Sequence, residues 1–417
     1  MTPSPSSPTL PAVSSRSAGR LLVVFFSYLI FAVLGMADGM IGVAFPSMRS
    51  EFKLPLDAFG TLFIAMTAGF LLSSFVVGRV LTRFPVAFAF GTAMVVRALA
   101  LLGYVLAPSW TWIAVAAFVQ GLGSGILDGG LNTWFAMRFS PRLMNWLHAC
   151  FGLGATLGPL ALAAVTSFGF GWRGGYALMS LLQGLMVIVV LSTRPLWDVA
   201  PTLGTQPGAP TPEQKRPTSV TVAQTLVKPA VWLGIAVFFF YTGVELTAGN
   251  WSFTLLTEAR NVPVAMATFW TSLYWASFTA GRVFFGFIST GRSITVLLRI
   301  CLLTALLGVI LLTWSPLPWI GILGLVTIGF AVAPVFPLLV SETPMRLGAA
   351  HAQHAIGFQV GAAAAGIAVL PSLAGVLAER TSLEIIPVFL IVINVVLIVL
   401  HELMVRGHIA EPELRHN

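Results

Sequence analysis

Twelve long runs of apolar residues, separated by shorter polar stretches, follow one another along the chain. Each run approaches the roughly 20 apolar residues that a helix needs to cross the hydrocarbon layer of a membrane. The runs predict twelve membrane-spanning helices near residues 21–45, 57–80, 86–106, 110–137, 145–168, 174–193, 230–256, 264–288, 293–313, 316–341, 349–377 and 383–404. The first run is too long for a cleaved signal peptide and lacks a small-residue cleavage site, so we expect it to be a span.

The composition favours the same interpretation. Of the 417 residues, 57% are hydrophobic and only 9% are charged, whereas roughly a quarter of the residues of a soluble protein are charged. Residues 1–20 are rich in Ser and Pro and predict a disordered tail. The Pro-rich stretch 195–229 predicts a linker. We therefore expect six-helix bundles at 21–194 and 230–404, followed by a tail at 405–417.

The basic residues are distributed unevenly between the two sides that this topology creates. The net charge is +8, and five of the 22 Lys and Arg residues fall on the side away from the chain termini, namely Arg49, Lys53, Arg173, Arg260 and Arg380. Cytoplasmic loops of membrane proteins carry an excess of Lys and Arg. The expected location is thus the cell membrane, namely the inner membrane of a bacterium, with both termini in the cytoplasm. The charge orients the chain and does not indicate a nucleic-acid partner.

The two halves repeat each other at an offset of about 207 residues. The repeat aligns Asp38 of the first run with Glu245 of the seventh, and, within one residue, His148 of the fifth with His354 of the eleventh. Duplicated six-helix halves are a common architecture of secondary transporters. The Walker A motif of ATP-binding proteins is absent, so we do not expect an ATP-driven pump. The polar segments are too short for a catalytic domain, so we do not expect an enzyme.

Three acidic residues fall inside predicted spans, where ionisable groups usually mark an ion or substrate path. They are Asp38, Asp128 and Glu245, and we expect them to take part in proton coupling. Asp128 and Asn132 are four residues apart, share one helix face and could together hydrogen-bond a hydroxylated ligand. Arg97, in the third span, could neutralise Asp128, which would leave proton coupling to the other two acids. Structural hydrogen bonds to neighbouring helices are the alternative role for each acid.

Aromatic and amide side chains near these acids suit a sugar, which offers apolar ring faces and hydroxyl edges. Gly243 and Gly249 flank Glu245 and predict a helix that is easily broken, as in carriers with discontinuous helices. Packing or lipid contact is the alternative role for any single aromatic residue. The predicted substrate-binding residues are Asp38, Asp128, Asn132, Tyr241, Glu245, Asn250, Trp251, Tyr274 and Gln359.

Basic residues and histidines near the cytoplasmic ends of the spans are candidates for gating. A capping or interhelical hydrogen bond is the alternative for both histidines. The gating candidates are Arg79, Arg83, His148, Arg282, Arg292 and His354. We expect no metal site and no cofactor; the coupling ion is expected to be a proton, with sodium as the alternative.

Four stretches of the chain together resemble the fucose permease-like branch of the major facilitator superfamily, the fucose–galactose–glucose:proton symporters. They are 35–63, 121–159 with LDGGLN and LHACFGLGATLGP, 241–286, and 355–379. The resemblance implies an all-α membrane protein with twelve helices in two pseudo-symmetric bundles around a cavity lined mainly by spans 1, 4, 7 and 10. It also implies proton coupling and sugar binding by the acids of spans 1 and 4, which are Asp38 and Asp128 here, and amide contributions from Asn132 and Gln359.

The chain departs from the superfamily pattern in the loop after the second span of each half. That loop usually carries an acid in a Gly-x-x-x-Asp motif, whereas this chain has Thr82 and Thr290. We therefore expect gating that depends less on a charge relay at this loop.

These features predict a secondary active transporter that works by alternating access and couples the uptake of a sugar or related small polar solute to protons. Its expected partners are that solute and the lipid bilayer, and we expect a monomer. On this hypothesis, Asp38→Asn should abolish gradient-driven accumulation and spare exchange. The alternatives are a proton-driven exporter of amphipathic drugs or lipids and, in another class, a nutrient sensor that has lost transport.

Overall fold

The structure, a computed structural model, describes residues 14–136, 138, 139, 141–198, 220–288, 292–314 and 317–413, which are almost entirely helical. Four parts of the chain named above lie outside the described residues: the first 13 residues, which are predicted to be disordered, most of the predicted linker, the last four residues, and Thr290.

The described part of the chain forms sixteen α-helices. Those of the first half are α1 (Ser14–Phe52), α2 (Ala58–Ser74), α3 (Val77–Arg83), α4 (Val86–Val105), α5 (Trp110–Ala136), α6 (Pro141–Ser167), α7 (Gly171–Ser192) and α8 (Arg194–Asp198). Those of the second half are α9 (Val222–Leu226), α10 (Pro229–Thr254), α11 (Val264–Ile288), α12 (Ile294–Thr313), α13 (Pro318–Val332), α14 (Val335–Leu347), α15 (Ala349–Arg380) and α16 (Ile385–Glu413). A π-helical turn, Leu255–Ala259, extends α10.

Among the residues that the structure describes, ten helical segments are long and apolar enough to cross a membrane, and the α2–α3 pair, bent by 46°, adds an eleventh. Helix α11 has 25 residues and is a twelfth of sufficient length, at about 37 Å. Its sequence mixes Thr, Ser, Tyr and Trp with apolar residues. The tenth predicted span consists of α13 and α14, which meet next to Pro334, a residue that lacks an amide proton for helix bonding. The prediction of an all-α membrane protein is confirmed.

The helix that the sequence predicts to be easily broken is continuous in this state. Helix α10 runs without a break through Gly243 and Gly249. These glycines serve packing, because a Cβ at Gly243 would clash with Leu370 of α15, and a Cβ at Gly249 would lie 2.7 Å from Trp275 of α11. Small residues that permit close helix contact are common in membrane bundles.

The two halves pack in the same pattern. In the first half α1 packs on α6, α2 on α5 and α4 on α7; in the second, α10 packs on α15, α11 on α13 and α12 on α16. Contacts between the halves involve α1 with α10, α2 with α15, and α6 with α11. The repeat in the sequence therefore corresponds to two six-span bundles, which we call the N-bundle and the C-bundle.

The side-chain hydrogen bonds that join the bundles are concentrated at one end. We call the end where α1 begins and α16 finishes the termini end, and the opposite one the far end. Within the described part of the chain, every side-chain hydrogen bond between the bundles lies at the far end. They run from Arg49 Nη2 to Glu258 Oε2 (2.8 Å), from the Leu56 amide to Glu379 Oε2 (2.6 Å), and from Ser372 Oγ to the Gly60 carbonyl (3.3 Å). The far end is therefore closed in this state.

Candidate functional site

Asp38 of α1 forms an ion pair inside the N-bundle. Its Oδ1 lies 3.6 Å from Nη2 of Arg97, whose side chain has no solvent exposure. Arg97 also donates to the Ser124 hydroxyl, and Gln120 Nε2 donates to Asp38 Oδ1 at 3.5 Å. The suggestion that Arg97 neutralises Asp128 is therefore wrong.

The small size of one glycine explains the pairing of Arg97. A Cβ at Gly123 of α5 would lie 2.6 Å from the Arg97 Cγ and 2.7 Å from the Ala93 carbonyl. The Arg97 side chain of α4 can therefore pass close to α5 and reach Asp38 on α1. Because stranding a buried charge costs several kcal/mol, about 3–5 when one partner is removed, this pair has a structural value of its own.

Asp128 and Asn132 lie on one face of α5, as their spacing predicts. Asn132 Nδ2 donates to Asp128 Oδ1 at 3.2 Å, while its own Oδ1 is buried and accepts no hydrogen bond from any residue that the structure describes. Asp128 forms no ion pair with a described residue. The pair therefore keeps polar atoms that a ligand could bind.

Glu245 provides the corresponding acid of the C-bundle. Its backbone carbonyl accepts a hydrogen bond from the Tyr274 hydroxyl at 2.7 Å, which fixes α10 to α11. Tyr241, one turn earlier, is fully buried and packs near Phe336 with ring centroids 6.3 Å apart. The Glu245 carboxylate has no ion-pair partner within the described ranges.

Arg282 of α11 brings a positive charge to the two unpaired acids. Its guanidinium carbon lies 4.4 Å from the centroid of the Phe278 ring, and it interacts electrostatically with Asp128, Glu245 and also His148. The predicted acids of both bundles thus belong to one electrostatic group, which includes an arginine that the sequence indicated only as a gating candidate.

Asn250 and Trp251 lie elsewhere, in the closed far end. The Trp251 ring is fully buried against Phe59, with centroids 5.2 Å apart, and its Nε1 donates to the Pro371 carbonyl at 2.9 Å. Asn250 packs on α1, where a Cβ at Gly42 would lie 2.6 Å from its carbonyl oxygen. In this state, both residues contribute to bundle contacts and leave no free surface for a ligand.

Gln359 is placed inside the C-bundle. Its Oε1 accepts a hydrogen bond from the Thr343 hydroxyl at 3.0 Å, and only 3% of the residue is exposed. It lines a small cavity together with Glu342 and Arg346.

The predicted gating residues have three different surroundings. Arg79, Arg83 and Arg292 are exposed at the termini end. His148 contacts the Phe31 ring edge-on, and His354 Nε2 hydrogen-bonds the Val220 carbonyl just before α9, at 3.1 Å. The partner of His354 lies outside any helix, so this contact is neither the cap nor the interhelical hydrogen bond that the sequence offered as the alternative.

A buried charge cluster in the C-bundle was missed by the sequence analysis. Arg346 Nη2 donates to Glu342 Oε1 at 2.5 Å, and both side chains are less than 10% exposed. Arg346 Nη1 also donates to the Met404 carbonyl at 2.9 Å. The acid and base are four residues apart in SETPMR, a spacing typical of helical ion pairs, so the signal was present. Among the described residues no group of three potential ligands is arranged to hold a metal ion.

Two repeated six-span bundles, with ionisable side chains from both placed near their interface, define a polytopic membrane transporter. The chain belongs to the Major Facilitator Superfamily, whose family model matches residues 27–358. This membership confirms the superfamily fold and a transport function, and it places the protein outside the enzymes.

Curated relatives support the assignment at low identity. The glucose/mannose transporter GlcP of Bacillus subtilis is 22% identical over 320 residues, which cover 75% of this chain and 77% of GlcP. Bypass of stop codon protein 6 of Saccharomyces cerevisiae is 22% identical over 396 residues, 88% of this chain and 79% of that protein.

Solved structures share the fold. The bacterial homolog of the human lysosomal transporter Spinster, in an inward-facing and unoccupied conformation, aligns with a TM-score of 0.76 at 15% identity, over 96% of this chain and 98% of that one. The fucose:proton symporter FucP of E. coli aligns with a TM-score of 0.63 at 13% identity, over 93% and 99%.

Proposed function

We propose that this transporter carries a sugar or related small polar solute into the cell together with protons, by alternating access. The observation that carries the proposal is the pair of acids Asp128 and Glu245, one from each bundle, which interact electrostatically with Arg282 and form no ion pair with any described residue. An uncompensated carboxylate in a membrane interior is costly unless it binds a proton or a ligand.

The solute class is supported by two kinds of observation. One is the names of similar proteins, a glucose/mannose transporter and a fucose:proton symporter. The other is the polar pair on α5, where Asn132 has a buried carbonyl oxygen without a hydrogen-bond partner beside the Asp128 carboxylate. Amide and carboxylate groups at this spacing suit the hydroxyl groups of a sugar.

The proposed cycle uses the difference between the two ends. Opening the far end would break the contacts of Arg49 with Glu258 and of Glu379 with the Leu56 amide, and it would give a solute and protons access to the acids. Closing the far end again would restore the state seen here, from which the solute and protons would be released toward the termini end. We propose that the termini end faces the cytoplasm of a bacterial inner membrane and that the monomer transports.

Uptake into proteoliposomes tests the proposal. Purified protein would be reconstituted and supplied with labelled glucose, galactose, mannose, fucose, glucuronate, galacturonate or gluconate under an inward proton gradient. Accumulation that a protonophore abolishes is the expected result. Accumulation that depends on a sodium gradient would replace the proton with sodium. Absence of uptake of every solute tested, including sugar acids, under both gradients would contradict the proposal and favour export of amphipathic compounds.

A further inference from the structure

The two arginines near the acids differ in whether an acid lies beside them. Arg97 is buried, donates to Ser124 and forms an ion pair with Asp38, although its Nε and Nη2 have no hydrogen-bond partner among the described residues. Arg282 has neither an ion pair nor a side-chain hydrogen bond within the described part of the protein, and its Nε is buried without a partner. Arg282 is partly buried and no described carboxylate forms an ion pair with it, so its site lacks a direct counter-charge.

The backbone around Arg282 is fixed by tight packing on two sides. Gly281 lies against α13, where a Cβ would be 2.5 Å from the Phe330 carbonyl oxygen. Gly152 of α6 provides the space that the Thr279 side chain occupies. The Phe278 ring, one turn before Arg282, lies with its centroid 4.4 Å from the guanidinium carbon, and a cation–π contact of this kind is worth roughly 0.5–2 kcal/mol in proteins. The arginine is therefore held at the α6–α11 contact between the bundles.

The charges that face Arg282 come from both bundles. Asp128 on α5 and Glu245 on α10 attract it, whereas His148 on α6 can only be neutral or repel it. Neither acid is close enough for an ion pair. When both acids carry protons, as the proposed coupling requires during uptake, this group is left with a net positive charge.

We infer that Arg282 binds an anionic group of the solute, and that the solute is a sugar acid such as a hexuronate or an aldonate. A carboxylate can accept two parallel hydrogen bonds from the guanidinium fork, a geometry that lysine does not reproduce. The hydroxyl groups of the same molecule suit Asp128 and Asn132. The inference rests on the proposed function and adds the charge of the solute to it.

The test compares pairs of solutes that differ only at the acidic group. Proton-driven uptake into proteoliposomes would be measured for glucose and glucuronate, galactose and galacturonate, and glucose and gluconate. We expect at least one acid to be accumulated and its neutral counterpart to be transported roughly tenfold or more slowly, because charge-assisted hydrogen bonds are strong.

Two substitutions then test the residue. Arg282→Gln should lower uptake of the preferred acid by roughly tenfold or more, and Arg282→Lys should retain part of it. Arg406→Gln removes an exposed arginine of α16 and is the matched control, with unchanged uptake expected. Thermal unfolding of each purified variant identifies any loss of uptake that is caused by misfolding.

The outcomes separate the two proposals. Proton-driven uptake of neutral hexoses with no preference for any acid would overturn the sugar-acid inference and leave the symport proposal intact. Equal loss of acid and neutral-sugar uptake in a folded Arg282→Gln variant would also overturn it, because Arg282 would then serve coupling. No uptake of any acid or hexose would contradict both proposals.

Discussion

Asp38 and Glu245 occupy matching positions in the two halves of the repeat, and their surroundings differ. Asp38 lies 3.6 Å from Nη2 of a buried arginine and accepts a hydrogen bond from Gln120. Glu245 forms no ion pair with a described residue. At the repeat offset, the positions matching Arg97 are residues 303–305, Leu-Thr-Ala, which carry no charge.

This difference separates two uses of a buried acid. The charge of Asp38 is compensated by a residue of its own bundle, so its ion pair can persist through a transport cycle. The charge of Glu245 must be compensated by something that arrives and leaves, a proton or a solute, or by the more distant Arg282. The duplication preserved the position of the acid and changed how the acid is neutralised.

Glu245→Gln provides the strongest test of this comparison. We expect it to reduce proton-driven accumulation by roughly 5- to 150-fold, the range that corresponds to a coupling free energy of about 1–3 kcal/mol, while solute exchange without a gradient continues. The measurements are accumulation and counterflow in the same proteoliposomes. Asp57→Asn, at an exposed carboxylate, is the matched control. Full accumulation by Glu245→Gln would assign the coupling to Asp38 and Asp128.

Asp38 and Arg97 should behave as a stability pair. Asp38→Asn strands the fully buried Arg97 and should lower the free energy of unfolding by about 3–5 kcal/mol, whereas Arg97→Met leaves an acid whose side chain is 33% exposed and should cost less. The double variant should be destabilised by less than the sum of the effects of the two single variants, and the difference, the interaction energy, should be about 0.5–3 kcal/mol. Denaturant titration of all four proteins measures this cycle, and additive effects would argue against the pair.

The double variant also tests the coupling role predicted for Asp38. If this acid exchanges the proton, a folded Asp38→Asn/Arg97→Met protein should lose gradient-driven accumulation and keep counterflow. If it still accumulates solute, Asp38 is structural and coupling belongs to Asp128 and Glu245.

The helices and the candidate acids could be predicted from the sequence, because apolar runs and intramembrane charges are local signals. The partners of these residues could not, because they depend on which helices approach closely. Arg97 reaches Asp38 through space that Gly123 leaves free, and nothing in the sequence around Arg97 indicates this route. The same limit applies to Gly243, which predicts an easily broken helix from the sequence and packs against Leu370 in the structure.

The C-bundle has its own buried ion pair, Glu342 with Arg346, away from its acid Glu245. Glu342→Gln should lower the free energy of unfolding by about 1–3 kcal/mol, which is less than the effect of Asp38→Asn in the N-bundle. The effect is smaller because Arg346 also donates to the Met404 carbonyl. Glu402→Gln, which breaks the exposed pair with Arg299, should have a smaller effect. Equal effects of the two substitutions would indicate that burial does not matter at this site.

The contact of Arg49 with Glu258 joins the two bundles and should contribute least to stability. Both side chains are about one quarter exposed, 25% and 28%, and such ion pairs are worth about 0–1 kcal/mol. Glu258→Gln should therefore leave unfolding almost unchanged and raise the population of the state that is open at the far end. Because a change of about 0.5 kcal/mol alters a two-state ratio only about twofold, the readout must be conformational.

Labelling of a cysteine placed at Gly42 would be unsuitable, since a side chain there meets Asn250. A cysteine at Asn250, whose side chain is 2% exposed in the closed state, reports opening directly. We expect its labelling rate to rise about twofold in the Glu258→Gln background. Glu384→Gln, which breaks the ion pair of Arg260 within the C-bundle, should not change the rate. A rise of the same size in both backgrounds would show that the far end loosens in general, and that the Arg49–Glu258 pair is not a specific tie between the bundles.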